Sequence, residues 1–225
     1  MDYYKFLVIN NSKPPENKYL DKIIDYMKSK SLNFSVVSSI QELNNSILND
    51  NILGAISTGS DYRVSEGENI ELSNYAMSNL KSPILGICFG FQAMADFYGS
   101  EIESGEEKCG KFKLNQYKED FWMFKDLVIE EKDLFFCFHD YPSSTPLGFY
   151  KICELDGKIA GIANDDYKRY GILFHPEEQY STYSILDRFI DECLKKRNKL
   201  KYLINYESFN HSVKSPTNLH YYKIR

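Results

Sequence analysis

The chain has 225 residues, enough for one large domain or two small ones, and its 43% hydrophobic and 26% charged residues are typical of a globular protein with a substantial core. No apolar run approaches the roughly 20 residues that cross a bilayer, and the N-terminus lacks a secretory signal, so we expect a cytoplasmic protein without membrane contact. The net charge of −5 is uneven, because residues 195–225 carry eight Lys or Arg and one acid. The acidic remainder argues against a nucleic-acid-binding domain.

The first hundred residues alternate between strand and helix patterns. Short apolar runs between polar loops predict strands over residues 5–9, 34–37, 52–57 and 83–88. Apolar residues at helical spacing predict helices over residues 17–30, 40–48, 69–80 and 91–98. Because strands alternate with helices, we expect an α/β fold with a doubly wound, mainly parallel central sheet that has helices on both faces.

From about Glu101 the pattern changes to β segments, predicted over residues 111–114, 134–138, 149–155, 158–163 and 170–174. Asp156-Gly157 predicts a tight hairpin between two of them. A closing helix is predicted over residues 181–197, with Ser181 as its N-cap. We therefore expect one flavodoxin-like domain over residues 1–197 with a smaller β-rich second half. Residues 198–225 are interpreted as a basic tail that is either flexible or docks a partner.

The five cysteines are scattered, odd in number and without a CxxC pair, at positions 88, 109, 137, 153 and 193. This spacing argues against a disulfide framework or a zinc site, and it favours a reducing compartment. Apart from Cys88, each cysteine is interpreted as a small, buried apolar residue.

The segment Gly86-Ile87-Cys88-Phe89-Gly90 follows the fourth predicted strand and precedes a helix. A nucleophile between small residues at such a point has the elbow arrangement, and the N–H of Phe89 would help to hold an oxyanion. Taken alone, this turn fits a structural cysteine as well as it fits a nucleophile.

A second segment supplies the base that a thiol nucleophile needs. His175-Pro176-Glu177 follows the last predicted strand, so His175 would deprotonate Cys88 and Glu177 would orient the imidazole. His139 also ends a predicted strand and is the competing candidate. The two segments together predict a Cys-His-Glu triad.

Residues 86–92 and Phe174-His175-Pro176-Glu177 resemble the class I (triad) glutamine amidotransferases. Within that family they are most similar to the amidotransferase domain or subunit of GMP synthase, as are Gly99-Ser100-Glu101-Ile102-Glu103 and His139-Asp140. The resemblance runs from residue 5 to about residue 194. It implies that Cys88 attacks the side-chain amide of L-glutamine, that His175 protonates the departing ammonia, and that water resolves a γ-glutamyl thioester.

The resemblance also implies a substrate pocket around the elbow. Gly59 would offer a second oxyanion N–H beside that of Phe89. Gln92 would line the pocket, although a capping or solvated residue is an equally good interpretation of the sequence. Neither a cofactor nor a metal is implied.

The sequence contains no Ser-Gly-Gly or GxxxxGK[ST] phosphate loop, and the stretch after the closing helix leaves no room for a second catalytic domain. We therefore expect the ammonia to pass to a separate GMP-synthase-like synthetase subunit. Two alternatives remain open. One is a stand-alone γ-glutamyl hydrolase or peptidase with the same triad, and the other is a non-catalytic regulatory protein on the same fold.

Overall fold

The computed structural model describes residues 4–49, 51–125 and 133–195. In these ranges the strands β1 to β10 span, in chain order, Tyr4–Ile9, Phe34–Val37, Asn51–Ser57, Ile84–Ile87, Ile102–Phe112, Gln116–Tyr117, Leu134–Pro142, Tyr150–Leu155, Lys158–Asn164 and Arg169–Ile172. The helices α1 to α5 span Lys18–Ser29, Ile40–Asn49, Glu71–Asn79, Phe89–Phe97 and residues 183–195. None of these helices combines the length and the apolar character that a bilayer span requires.

Eight strands form one sheet in the order β2-β1-β3-β4-β10-β9-β8-β6. The first five are parallel, and β9, β8 and β6 extend the sheet in antiparallel fashion. This confirms the predicted mainly parallel sheet. β5 and β7 pair with each other in a separate antiparallel ribbon.

Both faces of the sheet are covered, because side chains along a strand alternate between the two faces. Phe6 and Val8 of β1 pack in one core with α1 and α5, whereas Leu7 and Ile9 pack in another with α2 and α3. Parallel strands buried on both sides read as continuous apolar runs, which is why β1, β3 and β4 were predicted within one or two residues of their observed ends.

The ribbon is the main departure from the prediction. A strand was predicted over residues 111–114, but β5 begins at Ile102 and pairs with β7 as far as Pro142. Most of β5 is exposed and charged, so it lacks the apolar alternation that marks a half-buried strand. Its pairing with β7 depends on contacts between segments that are far apart in the chain, which the local sequence pattern does not show.

Smaller differences concern turns. The Asp156-Gly157 hairpin is confirmed, with φ of 49° and 76° and Leu155 paired with Lys158. The closing helix begins at residue 183 instead of Ser181, because a 3₁₀ turn over Tyr180–Thr182 precedes it. The end of that helix near residue 197 and the basic tail over residues 198–225 lie outside the described residues.

Candidate active site

The turn after β4 places Cys88 in a strained backbone conformation. Its φ of 49° and ψ of −106° lie outside the regions that non-glycine residues favour, and α4 begins immediately afterwards at Phe89. A Cβ on Gly86 would lie 2.5 Å from the Gly90 carbonyl oxygen, and one on Gly90 would collide with the backbone of Ser57. Both flanking glycines are therefore required by close backbone approach, as the elbow interpretation predicted.

The thiol of Cys88 opens into a cavity of about 290 Å³. The cavity is lined by residues 60–63 of the loop after β3, by Cys88 and Gln92 of the elbow, by Glu107, and by residues 137–140 of β7. Cys88 Sγ lies 3.4 Å from the carbonyl oxygen of Cys137, to which it donates a hydrogen bond. The ribbon thus forms one wall of the cavity in front of the thiol.

His175 follows β10, which is the parallel neighbour of β4, with Ile172 in register with Ile87. The carboxyl ends of the two strands therefore bring Cys88 and His175 to one edge of the sheet. His175 Nδ1 lies 2.8 Å from Glu177 Oε1, and both side chains are fully buried. His175 Nε2 has no hydrogen-bond partner among the described residues, so this nitrogen is available for a proton from a reacting group.

Two acidic side chains, Glu177 and Cys88, act on the imidazole of His175. Burial by itself lowers the pKa of this histidine, but Glu177 and Cys88 raise it to about 10. At neutral pH the ring is therefore an imidazolium. A cationic ring next to a cysteine favours the deprotonated form that nucleophilic cysteine chemistry uses.

The ring of Tyr19, from α1, lies flat against His175 with centroids 4.6 Å apart and planes inclined by 17°. The backbone of His175 is also held in place, because its N–H donates a hydrogen bond to the Phe135 carbonyl at 2.8 Å. Burial, with a smaller contribution from Cys88 and Asp61, raises the pKa of Tyr19. Sequence reasoning missed Tyr19, because nothing in the local pattern of α1 distinguishes it from an ordinary core tyrosine.

Gly59 lies directly against the imidazole. A Cβ at this position would come within 2.7 Å of His175 Cε1 and 3.3 Å of Tyr19 Cγ. The predicted oxyanion residue therefore also provides the space in which the histidine ring sits.

Phe89 is the first residue of α4, where a backbone N–H has no partner within the helix. Its side chain is buried against Val64 and Ala93.

A buried polar cluster that sequence reasoning missed supports the loop leading to Gly59. Asn11 Nδ2 donates to Ser57 Oγ and to the Thr58 carbonyl, both at 2.9 Å. Asn11 Oδ1 accepts from Ser73 Oγ at 3.0 Å. Since each buried polar group is paired, the cluster holds the end of β3 in one position. The available signal was a pair of asparagines, Asn10 and Asn11, directly after an apolar strand.

Gln92 is buried and its Nε2 donates to the Asp140 carbonyl at 2.6 Å. It lines the cavity, as predicted, and it is neither a helix cap nor a solvated residue. This hydrogen bond links α4, the helix that follows Cys88, to β7. The carboxylate of Asp140 in turn accepts from the Ser65 N–H at 2.9 Å and pairs with Arg63 at 3.2 Å.

His139, the competing candidate for the base, also lines the cavity. Its side chain is 42% exposed, and its Nε2 lies 3.7 Å from Glu107 Oε1, a carboxylate that is 57% exposed. A solvated pair at this distance orients an imidazole poorly, so the geometry favours His175 over His139.

Two of the cysteines differ from the prediction. Cys109 and Cys137 are not buried apolar residues: Cys109 is exposed, Cys137 is half-buried, and the two form a disulfide across the ribbon. They lie 28 residues apart in sequence, and the β5–β7 register places them directly opposite each other. The expectation of no disulfide is therefore wrong here, because the pairing depends on a strand that the sequence did not reveal. Cys153 and Cys193 are buried, as predicted.

Comparison with known proteins identifies a family. The family model described as glutamine amidotransferase class-I matches residues 15–193. The GMP synthase [glutamine-hydrolyzing] of Wigglesworthia glossinidia brevipalpis is 26% identical over 213 residues, which cover 90% of this chain and 40% of that protein. The same enzyme of Clostridium botulinum is 36% identical over 133 residues, covering 58% of this chain and 25% of that protein. The chain thus spans at most about 40% of the length of these relatives.

Solved structures show the same fold. A GMP synthase subunit from Thermoplasma acidophilum superposes with a TM-score of 0.74 at 21% identity, covering 88% of this chain and 98% of that one. A glutamine amidotransferase from Thermotoga maritima superposes with a TM-score of 0.58 at 17% identity, covering 88% and 86% of the two chains.

Proposed function

The chain belongs to the class I glutamine amidotransferase family, and on that premise we propose that it hydrolyses L-glutamine to glutamate and ammonia through Cys88, His175 and Glu177. The observation that carries the proposal is the buried pair of His175 and Glu177. His175 Nε2 has no hydrogen-bond partner among the described residues. The pair follows β10, at the same edge of the sheet as Cys88. A merely structural histidine at this depth would be expected to use both ring nitrogens.

In the proposed reaction the thiolate of Cys88 attacks the side-chain amide carbon of glutamine. The thiol proton has passed to His175 Nε2, and it is delivered to the departing ammonia. Glu177 accepts from Nδ1, which fixes the tautomer and stabilises the imidazolium. Water, deprotonated by His175, then cleaves the γ-glutamyl thioester and regenerates Cys88.

The backbone N–H groups of Gly59 and Phe89 would stabilise the oxyanion that forms on the amide oxygen. The role of Gly59 is supported by its close approach to His175, and the role of Phe89 by its position at the N-terminus of α4. Gln92 would contact the substrate from the cavity wall, where its side chain is held by the Asp140 carbonyl.

We further propose that the ammonia serves a separate GMP-synthase-like synthetase. Two observations support this. The relatives matched in sequence are named GMP synthase [glutamine-hydrolyzing], and the Thermoplasma acidophilum protein of the same fold is described as a subunit of GMP synthase. Hydrolysis that is slow in the isolated chain and faster with such a synthetase is the expected behaviour.

The test is covalent labelling with an electrophilic glutamine analogue, read by intact mass and peptide mapping. We expect one adduct on Cys88, none in Cys88→Ser, and unchanged labelling in Cys153→Ser, which removes a buried thiol elsewhere. Ammonia release from glutamine is measured in parallel, with and without a GMP-synthase-type synthetase. Absence of both the adduct and ammonia under both conditions would contradict the proposal, and turnover of γ-glutamyl peptides in place of glutamine would favour a γ-glutamyl hydrolase.

A further inference from the structure

One face of the ribbon brings together four side chains that bind metals well. Cys109 of β5 is in register with Cys137 of β7, and Lys108 is in register with Phe138. One more step of that register places Glu107 opposite His139, at the point where a bulge interrupts the pairing. Because side chains alternate along a strand, these two cross-strand pairs share one face.

The exposure pattern of β7 agrees with this assignment. Phe136 and Phe138 are buried, whereas Cys137 and His139 are half-buried on the opposite face. The neighbouring Lys108 lies on the other face of β5, where it pairs with Asp156. Lys108 is therefore not directed toward the four side chains.

Three of the four side chains are close enough to share one ion, and the fourth, His139, lies beside one of them. The ligand atoms of Glu107, Cys109 and Cys137 all lie within 4.8 Å of one another. His139 Nε2 lies 3.7 Å from Glu107 Oε1. Two thiolates, one imidazole and one carboxylate form a tetrahedral donor set of the kind that Zn²⁺ prefers over Mg²⁺ or Ca²⁺.

We propose that, when the Cys109–Cys137 disulfide is reduced, this face binds one thiophilic divalent cation through Glu107, Cys109, Cys137 and His139. A dithiol reductant supplies two electrons and two protons, so the disulfide becomes two thiols while the reductant becomes a disulfide. The cation then displaces the two thiol protons and bonds to both sulfurs. Exchange with a small-molecule disulfide re-forms the Cys109–Cys137 bond, reduces that disulfide to two thiolates and releases the cation.

The position of the site links it to the thiol of Cys88. Glu107, Cys137 and His139 all line the cavity that contains this thiol, and the Cys137 carbonyl accepts its hydrogen bond. A cation held there would narrow the cavity and place positive charge beside the nucleophile. This consequence rests on the proposed function: bound Zn²⁺ should inhibit glutamine hydrolysis, and oxidation of the pair should relieve the inhibition.

Binding is tested without any activity measurement, using Co²⁺ alone as the probe. The full chain carrying Cys88→Ser, which removes the catalytic thiol, is reduced and titrated under anaerobic conditions. We expect thiolate-to-Co²⁺ charge-transfer absorption and the visible bands of tetrahedral Co²⁺, saturating at one ion per chain. Zn²⁺ should displace the Co²⁺ and abolish both signals.

The variants separate this site from adventitious thiol binding. Adding Cys109→Ser, at an exposed position, should weaken binding by more than about 100-fold, whereas adding His139→Ala should weaken it by at least about 10-fold. Adding Cys153→Ser should leave the titration unchanged. An unchanged titration in the Cys109→Ser chain, or no charge-transfer band in the reduced Cys88→Ser chain, would overturn the proposal. Since the readout is absorbance, such a result would leave the proposed hydrolysis untouched.

Discussion

The aromatic ring of Tyr19 and the imidazole of His175 stack with centroids 4.6 Å apart and an interplanar angle of 17°. Tyr19 belongs to the first helix, and His175 lies beyond the last strand of the central sheet. The contact therefore joins the two ends of the described domain at the candidate active site. It covers one face of the imidazole and leaves the ring edge that carries Nε2 uncovered by Tyr19.

Removing the Tyr19 ring should misplace the imidazole. We expect Tyr19→Ala to lower kcat for glutamine hydrolysis by about 100-fold, because small displacements of a catalytic group are that costly. The unfolding free energy should fall by about 3 kcal/mol. Tyr19→Phe keeps the stacked ring and should retain kcat within a few-fold. Wild-type kcat in a folded Tyr19→Ala protein would contradict the positioning role.

Glu177→Gln should lower stability in a pH-dependent way. It leaves buried His175 without its carboxylate, which is expected to reduce the unfolding free energy at neutral pH by about 3 kcal/mol. The folded-state pKa of His175 is raised from 6.5 to about 10, so the stabilisation is fully present below pH 6.5, declines above it and is lost near pH 10. Denaturant unfolding of both proteins across pH 6–10 measures this difference, which should narrow as the pH rises.

Glu178→Gln is the matched control for that experiment. Glu178 pairs with Lys22 at 2.9 Å on the surface, so its replacement should change the unfolding free energy by less than about 1 kcal/mol. It should also leave kcat unchanged. An equal loss in the two variants at neutral pH would refute the assignment of a special role to Glu177.

Gly59→Ala should reduce turnover more than stability. The new Cβ would stand 2.7 Å from His175 Cε1, so the ring must shift, and we expect kcat to fall by about 100-fold. Gly157→Ala is the control, since this hairpin glycine has a φ of 76° and no heavy atom within 4 Å of the added Cβ. It should cost about 1 kcal/mol of stability through its backbone conformation and leave kcat unchanged. Steady-state kinetics and thermal unfolding of both variants distinguish the two effects.

Gln92→Met keeps the size of the side chain but removes the donor to the Asp140 carbonyl. Leaving this buried oxygen unpaired should reduce the unfolding free energy by about 2 kcal/mol. If Gln92 contacts the substrate, the KM for glutamine should rise about tenfold with a smaller change in kcat. The half-buried Gln179 donates a similar bond, at a solvent-exposed position, to the Asp133 carbonyl, and Gln179→Met should lower stability by less than about 0.5 kcal/mol. A KM equal to that of the wild type would leave Gln92 with a purely structural role.

Several features of the site were predictable because their signals are local. The glycines around Cys88 mark a turn that larger residues cannot form, and the apolar run before His175 marks a buried strand. The parallel order of strands then requires both residues to stand at one edge of the sheet. Gln92 lines the cavity, but its bond to the Asp140 carbonyl was not predicted, and its contact with a substrate stays a prediction.

Other features have no local signal. The β5 strand is exposed and charged, so its pairing with β7 could not be read from apolar periodicity. The Cys109–Cys137 disulfide followed from that missing register, and the expectation of unpaired cysteines failed for the same reason. Asn11 resembled a loop residue until its bonds to Ser57 and Thr58 showed what it supports.

The sequence by itself determined the α/β class and the order of the central elements, and it predicted Cys88, His175 and Glu177 as candidate nucleophile, base and orienting acid. These depend on the spacing of apolar and glycine residues over short stretches, where each local preference acts independently of the rest of the chain. Only the tertiary structure decided that His175 and not His139 has a buried carboxylate partner, that Tyr19 holds the ring, and that the ribbon closes one wall of the cavity. Those outcomes depend on contacts between residues far apart in the chain, and such contacts form only when the sheet assembles.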